Sequence, residues 1–442
     1  MLNIGFLVLF CTLPLAALAA PSCSLVPNAT LPAVVRRDNS SQALPFVATT
    51  WYNKEHADFF PPDNISWEKY TSVTYAFATT NEDPSAELGN IDGMNDTDLI
   101  HFVNLAHGNN VKALLSIGGW TGSGHFSCDV GPTTNATNPS NATIFINNLV
   151  NLVSNYSLDG LDFVWEFPGV DADPGNVVNP NDSQNFLAFL QQLRNTTTMQ
   201  NLTISASASI TPFANSTALP MTNVSAFAEP LDYVTIMNFD QWGSWSPSVG
   251  PNAPLNDSCP DSPPNSVVSG SADSAVKAWI AADFPPEKLV LGVAAYGHSF
   301  SVNNSDANNT AAPSDAVWTF PVAAYPPFHL PQLQGDSLDA KNATDAGNYT
   351  GIFNFFGLID EGFLDSNGHP VNGTGYRFDN CTQTPYVYNF TTGVMVSYDN
   401  AESFAAKGQF IQDKGLRGFA MWEAAGDRND ILLDAISQAA GC

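Results

Sequence analysis

The segment Leu158-Asp-Gly-Leu-Asp-Phe-Val-Trp-Glu-Phe-Pro-Gly169 carries three carboxylates, Asp159, Asp162 and Glu166, inside an otherwise apolar run. In a strand, side chains alternate between faces, so Asp162, Val164 and Glu166 share one face. Two carboxylates facing inward are costly to bury unless they have a task. The C-terminal ends of strands are where parallel barrels gather their chemistry. Burial and a neighbouring carboxylate both raise the pKa of a Glu, as a general acid at neutral or mildly acid pH requires. The segment therefore reads as a barrel strand with an acid, Glu166, at its tip.

Outward from it, short apolar or β-branched runs recur at 46–51, 72–78, 112–118, 160–166, 202–207, 233–239, 289–295 and 418–422. Helix-period segments separate most of them. Phe145, Leu149, Leu152 and Val153 share one helical face, as do Phe186, Phe189, Leu190 and Leu193, with Asp182-Ser183 as the expected cap of the second. Strands alternating with helical crossovers predict an α/β fold, a parallel (β/α)8 barrel. A doubly wound open sheet is the alternative, weakened because nothing like GxGxxG opens a first helix. The gap before the last strand is too long for a loop, so 302–390 is expected to be a small inserted domain. The barrel then comprises 45–301 and 391–442, and the insertion forms one wall of a groove on its C-terminal face.

The central segment resembles the DGxDxDWE signature of family 18 glycoside hydrolases, the chitinases and chitinase-like lectins. Three further segments resemble motifs of that family in order and spacing. Leu115-Ser-Ile-Gly-Gly-Trp120 is similar to its third-strand SxGG, Met237-Asn-Phe-Asp240 to its sixth-strand MxYD, and Gly418-Phe-Ala-Met-Trp422 to its eighth-strand segment. The stretch 302–390 resembles the α+β insertion that many members carry between their last two strands. The resemblance implies substrate-assisted retaining hydrolysis, in which the sugar's own acetamido oxygen attacks C1. By position Glu166 is the acid, Asp162 modulates the carboxylate cluster, and Asp240 contacts the sugar near the cleavage point. Trp422 forms the floor under the −1 sugar. Trp120, Trp242, Trp245, Met237, Phe239 and Tyr296 are further candidates for substrate contact, and His298 is expected to pack structurally. The expected partner is chitin or chitooligosaccharides.

Two positions depart from the motifs. Val164 stands where the family has an Asp that orients the acetamide and supports the oxazolinium charge. Phe239 stands where it has a Tyr whose hydroxyl binds the acetamide carbonyl. Three readings follow: an impaired chitin hydrolase, a non-hydrolytic chitin-binding lectin, and a hydrolase of a different glycan. The retained Glu166 favours the first, and Val164 with Phe239 favours the second. On residues alone the hydrolase is preferred as the family-level reading.

Composition bounds the setting. The 442 residues hold 42 Asp+Glu against 14 Lys+Arg, a formal net charge of −28, which disfavours any nucleic-acid partner. With 44% hydrophobic residues the chain can bury a core and is not a disordered acidic protein. Residues 1–19 read as a secretory signal peptide, and 20–44 as an extension with a candidate propeptide cleavage after Arg37. A monomeric extracellular glycoprotein is expected, with no membrane association once the signal is removed. About twenty Asn-x-Ser/Thr sequons, Asn141, Asn195, Asn342 and Asn389 among them, fit that setting. Cys11 and Cys23 would leave with the N-terminus, so Cys128, Cys259, Cys381 and Cys442 are expected to form two disulfides. No metal-ligand spacing or P-loop is present in the sequence, and no cofactor is expected.

Overall fold

The computed structural model describes residues 44–90, 96–131, 140–243, 245–246, 249–258, 270–307 and 351–442. The expected signal peptide, most of the N-terminal extension and the expected sites at Cys11, Cys23, Cys259 and Asn342 lie outside the described residues. Eight strands form the central layer: β1 (Val47–Asn53), β2 (Ser72–Ala78), β3 (Lys112–Gly118), β4 (Gly160–Val164), β5 (Thr203–Ala208), β6 (Tyr233–Ile236), β7 (Leu289–Ala294) and β13 (Gly418–Trp422). They close into a barrel in the order β1-β13-β7-β6-β5-β4-β3-β2, and every neighbouring pair is parallel.

The register puts Ser116 of β3 beside Asp162 of β4, and Asp162 beside Ser205 of β5. Side chains of adjacent strands thus meet in one interior layer. Below and around it the barrel is filled by Val47, Trp51, Ala76, Tyr233, Val290 and Ala420. Gly118 ends β3 at φ +109, where a Cβ would stand 2.2 Å from the Val164 carbonyl oxygen. Only glycine lets the third and fourth strands approach so closely at the barrel mouth.

Helices α1 (Thr97–Gly108), α2 (Phe126–Val130), α3 (Asn141–Tyr156), α4 (Asp182–Arg194), α5 (Ala272–Ala281), α6 (Ala401–Lys414) and α7 (Ile431–Ala440) flank the strands. Ser140 caps α3 by accepting from the Thr143 N–H, and Phe145, Leu149 and Val153 of that helix are buried. Phe145 stacks on Phe189 of α4 at 5.5 Å between ring centroids. Removing Phe189, which is fully buried, would cost about 3–5 kcal/mol.

Three sequence expectations are corrected. The cap of α4 is Asn181, without a side-chain bond, and Asp182-Ser183 form the first turn. The buried Asp182 carboxylate instead accepts from Ser127 Oγ (2.7 Å), Asn179 N (2.8 Å) and Gly169 N (3.3 Å), fastening the loop after β4. Cys128 carries no disulfide, so the expected pair of disulfides does not form among the four cysteines; Cys381 is disulfide-bonded. Finally, β4 and β6 stop at Val164 and Ile236, short of Glu166 and Phe239. Further on, backbone donors turn aside, Glu166 N–H going to Ser123 Oγ and, after Met237 N–H to Ala208 O, Asn238 N–H to Ile236 O.

Between β7 and β13 lies an antiparallel sheet of β8 (Tyr296–Ser301), β9 (Ile352–Asn354), β10 (Thr374–Asp379), β11 (Thr384–Asn389) and β12 (Val394–Ser397), ordered β10-β11-β12-β8-β9. Its strands run from Tyr296 to Ser397, wider than the expected 302–390, so β8 and β12 come from sequence assigned to the barrel. Among the described residues no helix is long and apolar enough to cross a membrane.

Candidate active site

Asp162 sits inside the barrel, 3% exposed. Its Oδ2 accepts from Trp51 Nε1 (3.0 Å) and Ser116 Oγ (3.0 Å), and its Oδ1 from Ser205 Oγ (2.8 Å) and Ser207 Oγ (3.5 Å). Burial pushes this carboxyl up, and those four donors pull it back. The indole and hydroxyls therefore hold it in place as a structural anion or acid, beneath the cleft.

Val164, two residues on, is 2% exposed and lines the cleft above Asp162. Glu166 follows, its backbone fixed on both sides. Its N–H donates to Ser123 Oγ at 3.1 Å, and its carbonyl accepts from Asn176 Nδ2 at 3.0 Å. The same Ser123 hydroxyl lies 2.7 Å from the Gly119 carbonyl and 2.9 Å from the Val164 carbonyl, tying the loops after β3 and β4 together. Burial first, and then the charge of Asp240, push the Glu166 carboxyl up to about 8. Among the described residues no side chain hydrogen-bonds it. At neutral pH it is mainly protonated, and it lines the cleft.

Asp240 is held in a left-handed conformation, φ +57, just past β6. Its N–H donates to Asn252 Oδ1 at 3.0 Å. Oδ1 accepts from the Tyr296 hydroxyl at 2.7 Å and lies 2.7 Å from His298 Nε2. Both partners belong to β8, so the inserted sheet orients this carboxylate. Burial and the charge of Asp240 hold the Tyr296 hydroxyl well above its ordinary range, keeping it a donor. The carboxylate whose charge raises Glu166 is thus Asp240 rather than Asp162.

Around these groups lies a cleft of about 330 Å³. It brings together Trp120, Val164, Glu166, Met237, Phe239, Asp240, Tyr296 and Trp422. The Trp422 ring stacks on Phe77 at 5.3 Å and meets Trp51 edge-on at 5.8 Å, and Trp120 stands at the rim, 51% exposed. Flat aromatic faces of this kind suit the C–H faces of sugar rings. Trp242 is not brought here. It packs against Val249, Phe300, Tyr386 and Tyr388, beside the inserted sheet. Trp245 is 62% exposed, its ring edge-on to His298 at 5.3 Å.

Trp51, Phe77, Asn53 and Glu55 also line the cleft and were missed from sequence. The parity of β1 places Trp51 inward with Val47 and Thr49, a readable signal. Phe77 was not readable. The β2–β3 ladder shifts register between Tyr75 and Ala78, and that irregularity turns Phe77 to the cleft.

The sequence matches the family model "Glycosyl hydrolases family 18" over residues 46–427. It is 43% identical over 400 residues to a chitinase-like effector of Moniliophthora roreri, covering 89% of this chain and 93% of that protein. A chitinase-like effector of Moniliophthora perniciosa is also 43% identical, over 410 residues, covering 91% of this chain and 89% of that protein. Among solved structures, a chitinase from Rhizomucor miehei superposes with a TM-score of 0.71 at 28% identity, covering 89% of this chain and 99% of that one. The barrel, its inserted sheet and these likenesses together place the chain in glycosyl hydrolase family 18.

Proposed function

We propose that this is a secreted chitinase-like protein that binds N-acetylglucosamine oligomers in the cleft over Trp422 and hydrolyses them little or not at all. The observation that carries this reading is Val164, a buried isopropyl group between Asp162 and Glu166. Substrate-assisted hydrolysis needs a carboxylate at that place to orient the acetamide and support the oxazolinium charge. An isopropyl group does neither, and the Phe239 ring offers no hydroxyl to the acetamide carbonyl. Loss of one preorganised stabiliser of developing charge typically costs about 10²–10³ in rate. Relatives called chitinase-like effectors at 43% identity support a role in which the fold outlives the chemistry.

A slow chitin hydrolase is the second reading, and Glu166 favours it. Burial keeps its carboxyl neutral up to about pH 8, so the proton for a leaving oxygen is in place. In that reaction Glu166 would protonate the glycosidic oxygen while the 2-acetamido oxygen closes on C1. Asp240, fixed by Tyr296 and His298, would hold the sugar beside it.

The test measures chitooligosaccharide affinity by calorimetry and product release by chromatography on the same preparation. Binding with turnover at least ~10²-fold below a family member carrying the Asp and Tyr is expected. Turnover within tenfold of such an enzyme, lost in Glu166→Gln, would establish the hydrolase. Absence of binding would remove both readings.

A further inference from the structure

Beside the cleft lies a second cavity, of about 340 Å³, and Trp120 stands in the wall of both. Phe167, directly after Glu166, forms part of it, with Val170 on the same loop and Phe213 and Ala214 after β5. Its lining contains no charged residue, and only Ser209 and Thr211 bring side-chain hydroxyls. The Ser209 hydroxyl oxygen accepts from the Thr211 N–H at 3.4 Å.

Trp120 is 51% exposed on the loop after β3, and Ala218 and Pro220 bring the loop after β5 to the same cavity. Val177 N–H, on the loop after β4, donates to the Gly124 carbonyl at 2.9 Å, so the loops after β3 and β4 touch. An exposed aromatic side chain beside an apolar opening fits a ligand surface. A sugar ring entering this cavity would strip its hydroxyls of water with few partners to replace it, whereas an alkyl chain leaves nothing unsatisfied.

We propose that this cavity receives an apolar chain, alkyl or acyl, carried by an N-acetylglucosamine oligomer that lies in the adjoining cleft. The inference rests on the reading of the cleft given above. In it Trp120 serves both parts of the ligand, one side toward the sugar and the other toward the chain. The protein would then be selective for amphiphilic chitooligosaccharides over the bare oligomer.

Calorimetry would compare chitotetraose, its octyl glycoside below the micelle concentration, and chitohexaose. The octyl compound should bind at least about tenfold tighter than chitotetraose, about 1.4 kcal/mol. Ala214→Phe, which fills the cavity, and Val170→Asp, which charges it, should each abolish that gain while leaving the chitotetraose affinity unchanged. Two variants guard against one failing to fold, which circular dichroism would show. Equal affinities for chitotetraose and its octyl glycoside would overturn the inference and leave the cleft reading standing. So would an octyl gain that survives both variants. If chitohexaose gains as much and loses it with the same variants, the cavity is a sugar site and the inference falls. If no compound binds the wild type, the reading of the cleft itself has failed.

Discussion

Restoring a carboxylate by Val164→Asp, alone and with Phe239→Tyr, separates positioning of the acetamide from every other cause of weak turnover. Val164 is 2% exposed, and its carbonyl accepts from Gly119 N–H at 2.9 Å, so the backbone there is held and the new side chain inherits Val164's direction. Asp162 below is already engaged by Trp51 and three serines. The new carboxylate would therefore look upward, to Glu166, which carries a proton at neutral pH. Loss of the buried isopropyl group and addition of a poorly paired carboxyl should cost about 2–5 kcal/mol of stability. Against that, one stabiliser of developing charge should return about 10²-fold in rate. The tyrosine hydroxyl should add up to about tenfold, short of full additivity because both groups act on one acetamide. Product release from chitooligosaccharides at saturating substrate, with thermal melts and binding on the same samples, reads all three quantities. A double variant that folds and binds as the wild type does, yet releases no product, would refute the account of the deficit. So would a wild type already as fast as the double variant.

Four further outcomes are expected. Glu166 has a folded-state pKa near 8 against an unfolded value near 4.5, so its contribution is fully present below pH 4.5 and is lost as pH rises through 8; Glu166→Gln should match the wild type's melting temperature at pH 4.5 and gain on it steadily to pH 8. Asp129, 1% exposed and pushed by burial to about 7, follows the same sign, and Asp129→Asn should flatten the stability profile between pH 4 and 7 in calorimetric scans. Lys407→Met leaves the buried Asp399 without its 2.6 Å partner and should cost about 3–5 kcal/mol in denaturant unfolding, with Lys407→Met/Asp399→Leu recovering much of it. Trp422→Ala should weaken chitooligosaccharide binding at least about tenfold by calorimetry, because it removes a face against which Phe77 and Trp51 are also packed.

The barrel was legible because each strand is a short β-branched or apolar run with a helix period after it, and that pattern has few other solutions. Asp162 and Glu166 stand out because carboxylates inside an apolar strand demand a reason, and Asp240 only through the likeness of 237–240 to a family motif. Legibility ended where the chain leaves the ladder. Strand parity could not say that β4 and β6 stop early, nor that a register shift swings Phe77 into the cleft. Trp242 and Trp245 look alike as loop tryptophans, and only the inserted sheet decides that one is packed and the other exposed. Asp182 has the side chain of a cap, but the loop after β4 offers it two donors and Ser127 of α2 a third, which a vacant helix end cannot match. The partners of Asp240 were hidden for a different reason. Tyr296 and His298 lie far along the sequence, and nothing local ties them to it.

That last arrangement bears on modularity. Insertions between barrel strands are natural targets for excision or exchange when a minimal scaffold is wanted. Here the first strand of the inserted sheet supplies both side chains that aim Asp240, and Asn252, which receives the Asp240 N–H, donates in turn to the Tyr296 carbonyl at 2.9 Å. A trimmed barrel that rejoined β7 to β13 directly would keep its hydrophobic interior and lose the aim of a carboxylate at its mouth. A graft from another barrel would have to bring a hydroxyl and an imidazole to the same two points, so the transferable unit is the insertion together with the loop after β6.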